Sequence, residues 1–582
     1  MTQGRGSAGL VLAVLLFATA CGGDGGGEQA GSAASTTAQT EAVVVQSDAD
    51  QPADEPIEVE PETDPPAPPP AESASFTSVA IDALDAFPHT DQASLLRCRA
   101  NMMAGGIGVS DLDGDGLLDI TIPRLGGGPI IAVNQGDLEF TAVELDHPDP
   151  STFYGAAVAV AQLDGRNGDD LVVSSFGGTS AAVWLDDGDG YTYATELAAP
   201  EQAACSTNMS IVAADIDDDG AIDLAIADWS PEGLDVTGTQ VWLGDGTGAF
   251  ELRRQPDGSA WGDNDKAMMA MGVVDVDRDA RTDLFFAADW NGTGFETSAA
   301  AEIVDAPFTD TNGMGLAITD ADRDGDLEFY VSSIGAAPGY PCKIGDLGAR
   351  VPCLGSRMYE ISASGEVVDV TDDYGVADTG WAWGSVFADI DADGSDTLVV
   401  SNGMTIPGVM EPPAGDSEVL SRPTGVWLID LDTGEQSALD GTVDLAGKTV
   451  VAADLDRDGD LDIVHMATSA GLGLFENTLD PAADRWVGLV LENWPAADAL
   501  AVSIVDDDEQ LTPVRVMQRG GWFQTHQASE AYFGLDARLA AAIEAGTATV
   551  VIDEVGTGVQ RCASVDDTGA WLTIDVGALD PC

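Results

Sequence analysis

The chain has 582 residues and carries 101 Asp and Glu against only 22 Lys and Arg, a formal charge of −79. A surface of that sign repels nucleic acid and anionic lipid, which excludes both as direct partners. Self-repulsion of this size falls as salt screens it, so the protein is expected to suit saline surroundings.

Residues 1–21 read as a lipoprotein signal peptide. Arg5 gives a weakly positive start, Leu10 to Phe17 form a short apolar core, and Ala18-Thr-Ala-Cys21 ends the segment on small residues and a cysteine. The apolar run is too short to span a bilayer stably. Its ending resembles a bacterial lipobox, with Ala18 in place of the commoner Leu. Processing is then expected to leave lipid on Cys21, the chain's one membrane contact, and to place the protein in a bacterial cell envelope or on its outer surface. A plain signal peptide with an incidental cysteine is the competing reading. Residues 22–75 hold twelve acidic residues and no Lys or Arg, and end in a Pro-rich run from Pro65. Such a composition cannot form a core and reads as a disordered, extended spacer.

From residue 76 to 480 one short acidic loop is written seven times. The cleanest copies are Asp111-Leu-Asp113-Gly-Asp115-Gly-Leu-Leu-Asp119, Asp215-Ile-Asp217-Asp-Asp219-Gly-Ala-Ile-Asp223, Asp275-Val-Asp277-Arg-Asp279-Ala-Arg-Thr-Asp283 and Asp454-Leu-Asp456-Arg-Asp458-Gly-Asp-Leu-Asp462. A fifth, Asp320-Ala-Asp322-Arg-Asp324-Gly-Asp-Leu-Glu328, closes on Glu. The second loop in chain order, Gln162-Leu-Asp164-Gly-Arg166-Asn167-Gly-Asp-Asp170, replaces two acids, and Arg166 could itself supply positive charge. The sixth, Asp389-Ile-Asp391-Ala-Asp393-Gly-Ser-Asp396, is one residue short, with Asp396 placed to close it.

Side chains at positions 1, 3, 5 and 9 of a tight turn can converge on one point. A hard cation taking about six to eight oxygens suits that arrangement, and calcium fits best, with the position 7 carbonyl and water completing the shell. Gly at position 6 permits the positive φ of the bend. Asp and Gly are also plain turn formers, which would account for one loop. It does not account for four carboxylates crowded into nine residues again and again, because they repel one another without a cation. The acidic residues named in loops one and three to seven are therefore the candidate ligands for about five to seven calcium ions, with occupancy of loops two and six left open.

An apolar segment follows each loop, as in Leu224-Ala-Ile, Leu284-Phe-Phe and Phe329-Tyr-Val, and a short strand precedes it. Each loop thus joins two strands of a hairpin. The first residues of the loops are spaced by about 45 to 70 residues, room for roughly four short strands per interval. A unit that small cannot bury its apolar face alone, so units must stack. The predicted fold is all-β: a seven-bladed calcium-binding β-propeller over residues 76–480, for which an integrin-α-like and a fungal-lectin-like propeller would look the same. A linear β-solenoid competes, but its calcium repeats recur at shorter periods.

Setting Cys21 aside leaves six cysteines, an even number that suits disulfides in an exported chain. Cys342 with Cys353 and Cys562 with Cys582 have local logic, and Cys98 and Cys205 remain to pair across blades. After about residue 480 the repeat stops. Arg485-Trp-Val-Gly-Leu-Val-Leu-Glu, Ala501-Val-Ser-Ile-Val, Thr512-Pro-Val-Arg-Val-Met and Thr547-Ala-Thr-Val-Val-Ile-Asp read as strands. Residues 481–582 are expected to form a separate, small, mostly β domain.

The chain resembles bacterial relatives of cartilage acidic protein, which carry FG-GAP/VCBS-type propeller repeats followed by an ASPIC/UnbV domain. The propeller part of the resemblance lies in the run from Val368 through Trp381 and Trp383 to Asp389, and in Asn134-Gln-Gly-Asp-Leu-Glu-Phe-Thr. The C-terminal part lies in Gln518-Arg-Gly-Gly-Trp-Phe-Gln-Thr-His526-Gln-Ala-Ser529 and Tyr532-Phe-Gly-Leu535. Two departures stand out: Asn493-Trp-Pro-Ala-Ala-Asp replaces a Gly-Ala-rich turn, and Ile552-Asp-Glu-Val-Gly-Thr-Gly replaces a Trp-Pro-x-Gly phrase. The resemblance implies export, calcium on hairpin loops and a propeller, and no particular reaction.

Little else signals chemistry. His89, His147, His465 and His526 form no zinc or triad pattern, and no nucleophile elbow or phosphate loop is present. His526 stands out by its neighbours Trp522, Ser529 and Tyr532. Trp229, Trp242, Trp261, Trp290, Trp381, Trp383 and Trp427 read mainly as packing, with Trp381 and Trp383 the candidates for a binding face. The leading expectation is a calcium-stabilised surface module that binds extracellular protein or glycan without catalysis. An exported hydrolase or lyase with a pocket on the propeller axis is the alternative, and a purely structural envelope protein a third reading. With calcium saturating, the denaturation midpoint should rise with NaCl; equal midpoints at low and high NaCl would remove the salt expectation.

Overall fold

Between Ile107 and Ala438 the chain repeats one topology, four antiparallel strands hydrogen-bonded in sequence order. The computed structural model describes residues 74–81, 84 and most of 104–582. The intervals 177–178, 199–206, 218, 230–238, 254–266, 276–279, 290–293, 298–301, 305–311, 335–340, 345–348, 353–354, 363–366, 404–423, 444, 468–470, 480–484, 495–497, 507–508 and 566 fall outside the description. The expected signal peptide, nearly all of the spacer, Cys21, His89, Cys98, Cys205, Cys353, Trp261, Trp290, and Asp277 and Asp279 of loop four lie outside it as well. All described residues belong to one contact unit, Ala67–Cys582.

Five four-stranded sheets are described, and two further sets of four consecutive strands lie within a five-stranded and a nine-stranded sheet. Their inner strands are Ile107–Ser110, Gly155–Ala161, Asn208–Ala214, Ala267–Val274, Leu316–Thr319, Ala382–Ala388 and Gly447–Ala453. Each inner strand lies against the next in sequence, and Gly447–Ala453 lies against Ile107–Ser110, so the order is cyclic. A closed ring of four-stranded sheets is the β-propeller arrangement, which leaves only short, protected edges. Buried on both faces, the inner strands read as continuous small apolar runs such as GAAVAVA. The outer strands alternate, as in Tyr191–Leu197. Close approach of neighbouring sheets explains two inner glycines: a Cβ on Gly106 would sit 1.9 Å from the Ala156 carbonyl oxygen, and one on Gly315 2.0 Å from that of Trp383.

The ring closes through its termini. Phe76–Val79 pairs antiparallel with Gly471–Asn477 and becomes the outermost strand of the seventh sheet. An extra hairpin, Pro341–Ile344 with Ala349–Pro352, lies within the fifth repeat, which accounts for the longest spacing between loops. Asparagines tie sheet to sheet. Asn134 Nδ2 donates to the Leu455 carbonyl of the seventh loop at 2.8 Å, and Asn477 Nδ2 donates to the Ile390 carbonyl of the sixth at 2.9 Å.

The C-terminal residues build two further sheets. One is Glu530–Gly534, Trp486–Glu492 and Trp571–Asp575. The other is Arg515–Gly520, Ala499–Asp506, Ala548–Val555 and Val559–Ser564. They enclose a core of Val487, Leu489, Leu500, Val502, Ile504, Phe533, Val550 and Ile552, with the helix Ala537–Ala545 against it through Leu539 and Ala542. Asp536 caps that helix, accepting from the amides of Arg538 and Leu539. Cys562 and Cys582 form a disulfide, the pairing expected at the C-terminal end.

These sheets do not stand clear of the ring. Arg515–Gly520 also pairs with the third inner strand, Val212 opposite Gly520 and Ala213 opposite Arg519. The chain then crosses the axis. Trp522 bridges to Met271 of the fourth inner strand, the Phe523 ring lies 5.6 Å from that of Trp383 in the sixth, and Thr525–His526 pairs parallel with Ile107 and Gly108 of the first. Gln518 accepts from the Val273 amide at 2.7 Å, and Gln524 accepts from the Gly105 amide at 2.9 Å. Residues 518–526 thus occupy the centre of the ring, where a hydrolase or lyase would need its pocket.

Asn477→Ala should cost about 1–3 kcal/mol, because it strips two buried carbonyls of their donor. Urea unfolding followed by tryptophan fluorescence would measure the loss.

Candidate metal centres

The position 1 side chain organises each loop by gathering backbone amides. Asp111 accepts from Gly114 and Asp115 at 2.8 and 3.2 Å and from Gly116 at 2.9 Å. Asp215 accepts from Asp219 and Gly220 at 3.0 and 2.8 Å, Asp320 from Asp324 and Gly325 at 3.1 and 3.0 Å, and Asp389 from Asp393 and Gly394 at 3.1 and 2.9 Å. Converging amides require left-handed backbone at position 6, which Gly116, Gly220, Gly325, Gly394 and Gly459 supply. Ala280 adopts it too, at φ 63°. Position 4 is also left-handed, with φ of 63° at both Arg323 and Arg457 and 54° at Ala392. A side chain there costs about 1 kcal/mol or more, and the sequence reading did not anticipate it.

Position 9 does a different job. Asp119 is buried and accepts from Leu112 within its loop at 3.0 Å and from Asn134 on the third strand at 2.9 Å. Asp170, Asp223 and Asp462 repeat both bonds. This residue staples the hairpin to its neighbouring strand. Glu328 keeps the first bond, to Ala321 at 2.6 Å, and its Oε1 is buried without a hydrogen-bond partner.

Carboxylate oxygens of Asp111, Asp113 and Asp115, of Asp215, Asp217 and Asp223, of Asp320, Asp322 and Glu328, and of Asp389, Asp391 and Asp393 each lie within 4.8 Å of one another. Of the loop-four acids only Asp275 and the buried Asp283 are described. Asp396, expected to close loop six, is ion-paired with Arg515 at 2.7 Å and bonded to Thr319. In loop seven Asp454 Oδ1 and both oxygens of Asp460 are buried without a donor.

Loop two folds alike without that acidity. Gln162 Oε1 accepts from Gly165 at 2.8 Å, as an aspartate would. Its Nε2 donates to the carbonyls of Arg166 and Gly168 at 3.0 and 2.6 Å, the latter being the position 7 carbonyl. Arg166 pairs with Asp164 at 3.2 Å. Amide and guanidinium protons therefore do within this loop what a cation would do in the others.

Two acidic groups escaped the sequence reading. Asp460 holds position 7 of loop seven, and its signal was the matching Asp326 in loop five. Glu360 comes from the neighbouring strand, where it faces Glu328 and brings an oxygen within 4.8 Å of Asp322 and Asp324. Only strand pairing reveals it. The C-terminal sheets also reach the loops. Gln510 donates to Asp320 at 2.7 Å, the Gly534 amide to Asp389 at 2.7 Å, and Trp571 Nε1 to Asp454 at 2.8 Å.

The other candidates are structural. His465 is buried against Ser401 at 3.1 Å and burial pushes its pKa down to about 4. His526 accepts from the Gly520 amide at 3.0 Å inside the axial segment and is pushed down to about 3, by burial first and then by Arg519. His147 stacks on Phe153. Trp383 is buried, donates to the Gly403 carbonyl at 2.7 Å and packs under Lys448.

No protein-family model and no curated protein matches the chain. Among solved structures it is similar to a chain in the crystal structure of BBS1N in complex with ARL6DN soaked with lead, at 10% identity and TM-score 0.40, covering 69% of this chain and 96% of that one. It is also similar to the β-propeller domain of Cps50 (Swd1) from Myceliophteria thermophila, at 9% identity and TM-score 0.34, covering 64% and 96%. Likeness this weak carries no functional argument.

Burial, reinforced by neighbouring carboxylates, lifts several loop acids far above the ordinary range: Asp119 and Asp454 to about 7, Glu328, Asp389 and Asp462 to about 8. Unfolded, they titrate near 4. Between about pH 4 and 8 the folded chain then binds more protons than the unfolded chain, so its metal-free stability is greatest at the acid end and is lost as pH rises to 8. In EDTA the melting temperature should fall from pH 5 to pH 8, and excess calcium should abolish that fall. A rise with pH in EDTA would contradict it.

Proposed function

We propose that this chain is a calcium-stabilised, seven-bladed propeller of the FG-GAP/VCBS type with an ASPIC/UnbV-like C-terminal domain, akin to bacterial relatives of cartilage acidic protein. In this reading it is exported, held at the cell surface by lipid on Cys21, and engages extracellular protein or glycan. The observation that carries the metal part is the set of buried carboxylate oxygens without a donor, Glu328 Oε1, Asp454 Oδ1 and both oxygens of Asp460. Buried anionic oxygens persist only with a positive partner. Loop two supports the same reading from the other side: where the acids are lost, Gln162 and Arg166 bring protons of their own.

Spread round a ring, such ions hold hairpins in place rather than perform one reaction. Their residues would supply oxygen ligands only, and calcium bound there keeps the carboxylates ionised. The axis is filled by residues 518–526, which favours a binding surface over an axial catalytic pocket.

Calorimetric titration of the calcium-free protein should count about five or six ions, one for each loop but the second, with loop six open. Fewer than three would overturn the calcium reading. Replacing Gln162 and Arg166 together by Asp should add one. A glycan and surface-protein binding screen run with and without EDTA tests the interaction reading; no binding in calcium would leave a purely structural envelope role in its place.

A further inference from the structure

Loop seven differs from the other loops in what covers it. Its position 6 residue, Gly459, lies under the Trp486 indole so closely that a Cβ there would come within 2.5 Å of the ring. Trp486 stacks on Tyr532 at 5.7 Å and meets Trp571 at 5.9 Å. All three aromatics belong to the C-terminal sheets, and two of them reach down. Tyr532 donates its hydroxyl to the Gly459 carbonyl at 2.9 Å, and Trp571 donates Nε1–H to Asp454 Oδ2 at 2.8 Å. Arg457, at position 4, forks onto Glu530 at 2.6 and 2.9 Å.

The loop carries Asp454, Asp456, Asp458, Asp460 and Asp462, of which Asp454, Asp460 and Asp462 are buried. Asp454 and Asp460 are at most 1% exposed, and Asp454 Oδ1 and both Asp460 oxygens have no donor. The one cation of the loop, Arg457, is already matched to Glu530. The buried carboxylates therefore exceed the positive charge available to them.

We propose that loop seven holds a divalent cation with the Asp460 side chain among its ligands, and that this cation locks the C-terminal sheets onto the ring. The proposal rests on the calcium reading above and adds to it a ligand and a consequence. The same carboxylate, Asp454, meets the cation through Oδ1 and the C-terminal Trp571 through Oδ2. Cation binding and docking then strengthen each other by one and the same factor.

The test uses the full chain, titrated with calcium from EDTA. Hydrogen exchange is followed in Glu530–Gly534 and Trp571–Asp575, and terbium luminescence sensitised by the roofing indoles reports the loop itself. Calcium should slow exchange in both strands. Asp460→Asn should move the midpoint of that protection at least about tenfold higher in calcium and reduce the terbium signal. Asp217→Asn, in loop three, should lower the calcium count by one and leave the midpoint where it was. Trp571→Phe, which keeps every carboxylate, should weaken terbium binding several-fold. An unmoved midpoint in Asp460→Asn, or exchange in the two strands that ignores EDTA while calorimetry still counts calcium, would overturn the lock and spare the calcium reading. No calcium bound anywhere would overturn both.

Discussion

The structure depends on loop carboxylates, several of them buried, that accept more hydrogen bonds than one turn would need and carry charge that must still be met. At position 1 a carboxylate draws in backbone amides from positions 4 to 6, as Asp111 does with Gly114, Asp115 and Gly116. At position 9 another ties the loop to the third strand, as Asp119 does with Leu112 and Asn134. Backbone amides satisfy hydrogen-bonding capacity without neutralising a full charge. Loops five and seven are thus well shaped and electrostatically incomplete, and the raised pKa of Glu328 and Asp462 is the mark of that state. Loop two shows the other solution, in which an amide and a guanidinium complete the turn.

This constraint extends beyond the single hairpin. Asn134 and Asn477 carry each sheet's hold to the loop of the preceding one. The C-terminal sheets add a second layer of contacts on the same face, through Gln510, Gly534 and Trp571 on the first aspartates of loops five, six and seven. Asp498 accepts from the Asp215 amide in loop three and from Thr282 in loop four. Loops, ring and C-terminal sheets therefore share one polar network, and the axial segment Gln518–His526 adds backbone pairing with the inner strands. The inner strands, by contrast, carry almost no charge.

The repeat, the strand on each side of every loop and the change of character near residue 480 were all legible, because hairpins are local and each loop is written in nine contiguous residues. The acidic positions of each loop were legible for the same reason. The role of Asp396 was not, since its partner Arg515 lies more than a hundred residues away in sequence. Glu360 was not, since it joins loop five only by strand pairing. His526 looked like an outlier among aromatics and proved to be an internal acceptor for Gly520. The left-handed conformation at Arg323, Ala392 and Arg457 left no trace, because residues other than glycine hold it only under the pull of converging hydrogen bonds.

By itself the sequence determined the local chemistry: which turns are acidic, which strands flank them, how many times the unit recurs, and the even count of cysteines left after Cys21. Tertiary structure alone decided closure and occupancy of space. Phe76–Val79 completes the sheet that ends at Asn477, the hairpin at Pro341 lies outside the four-strand pattern, and residues 518–526 fill the axis. The physical reason is range. Turn and strand preferences act over a few residues, whereas a ring's closing strand and its axial segment are fixed by backbone pairing and packing between residues hundreds of positions apart.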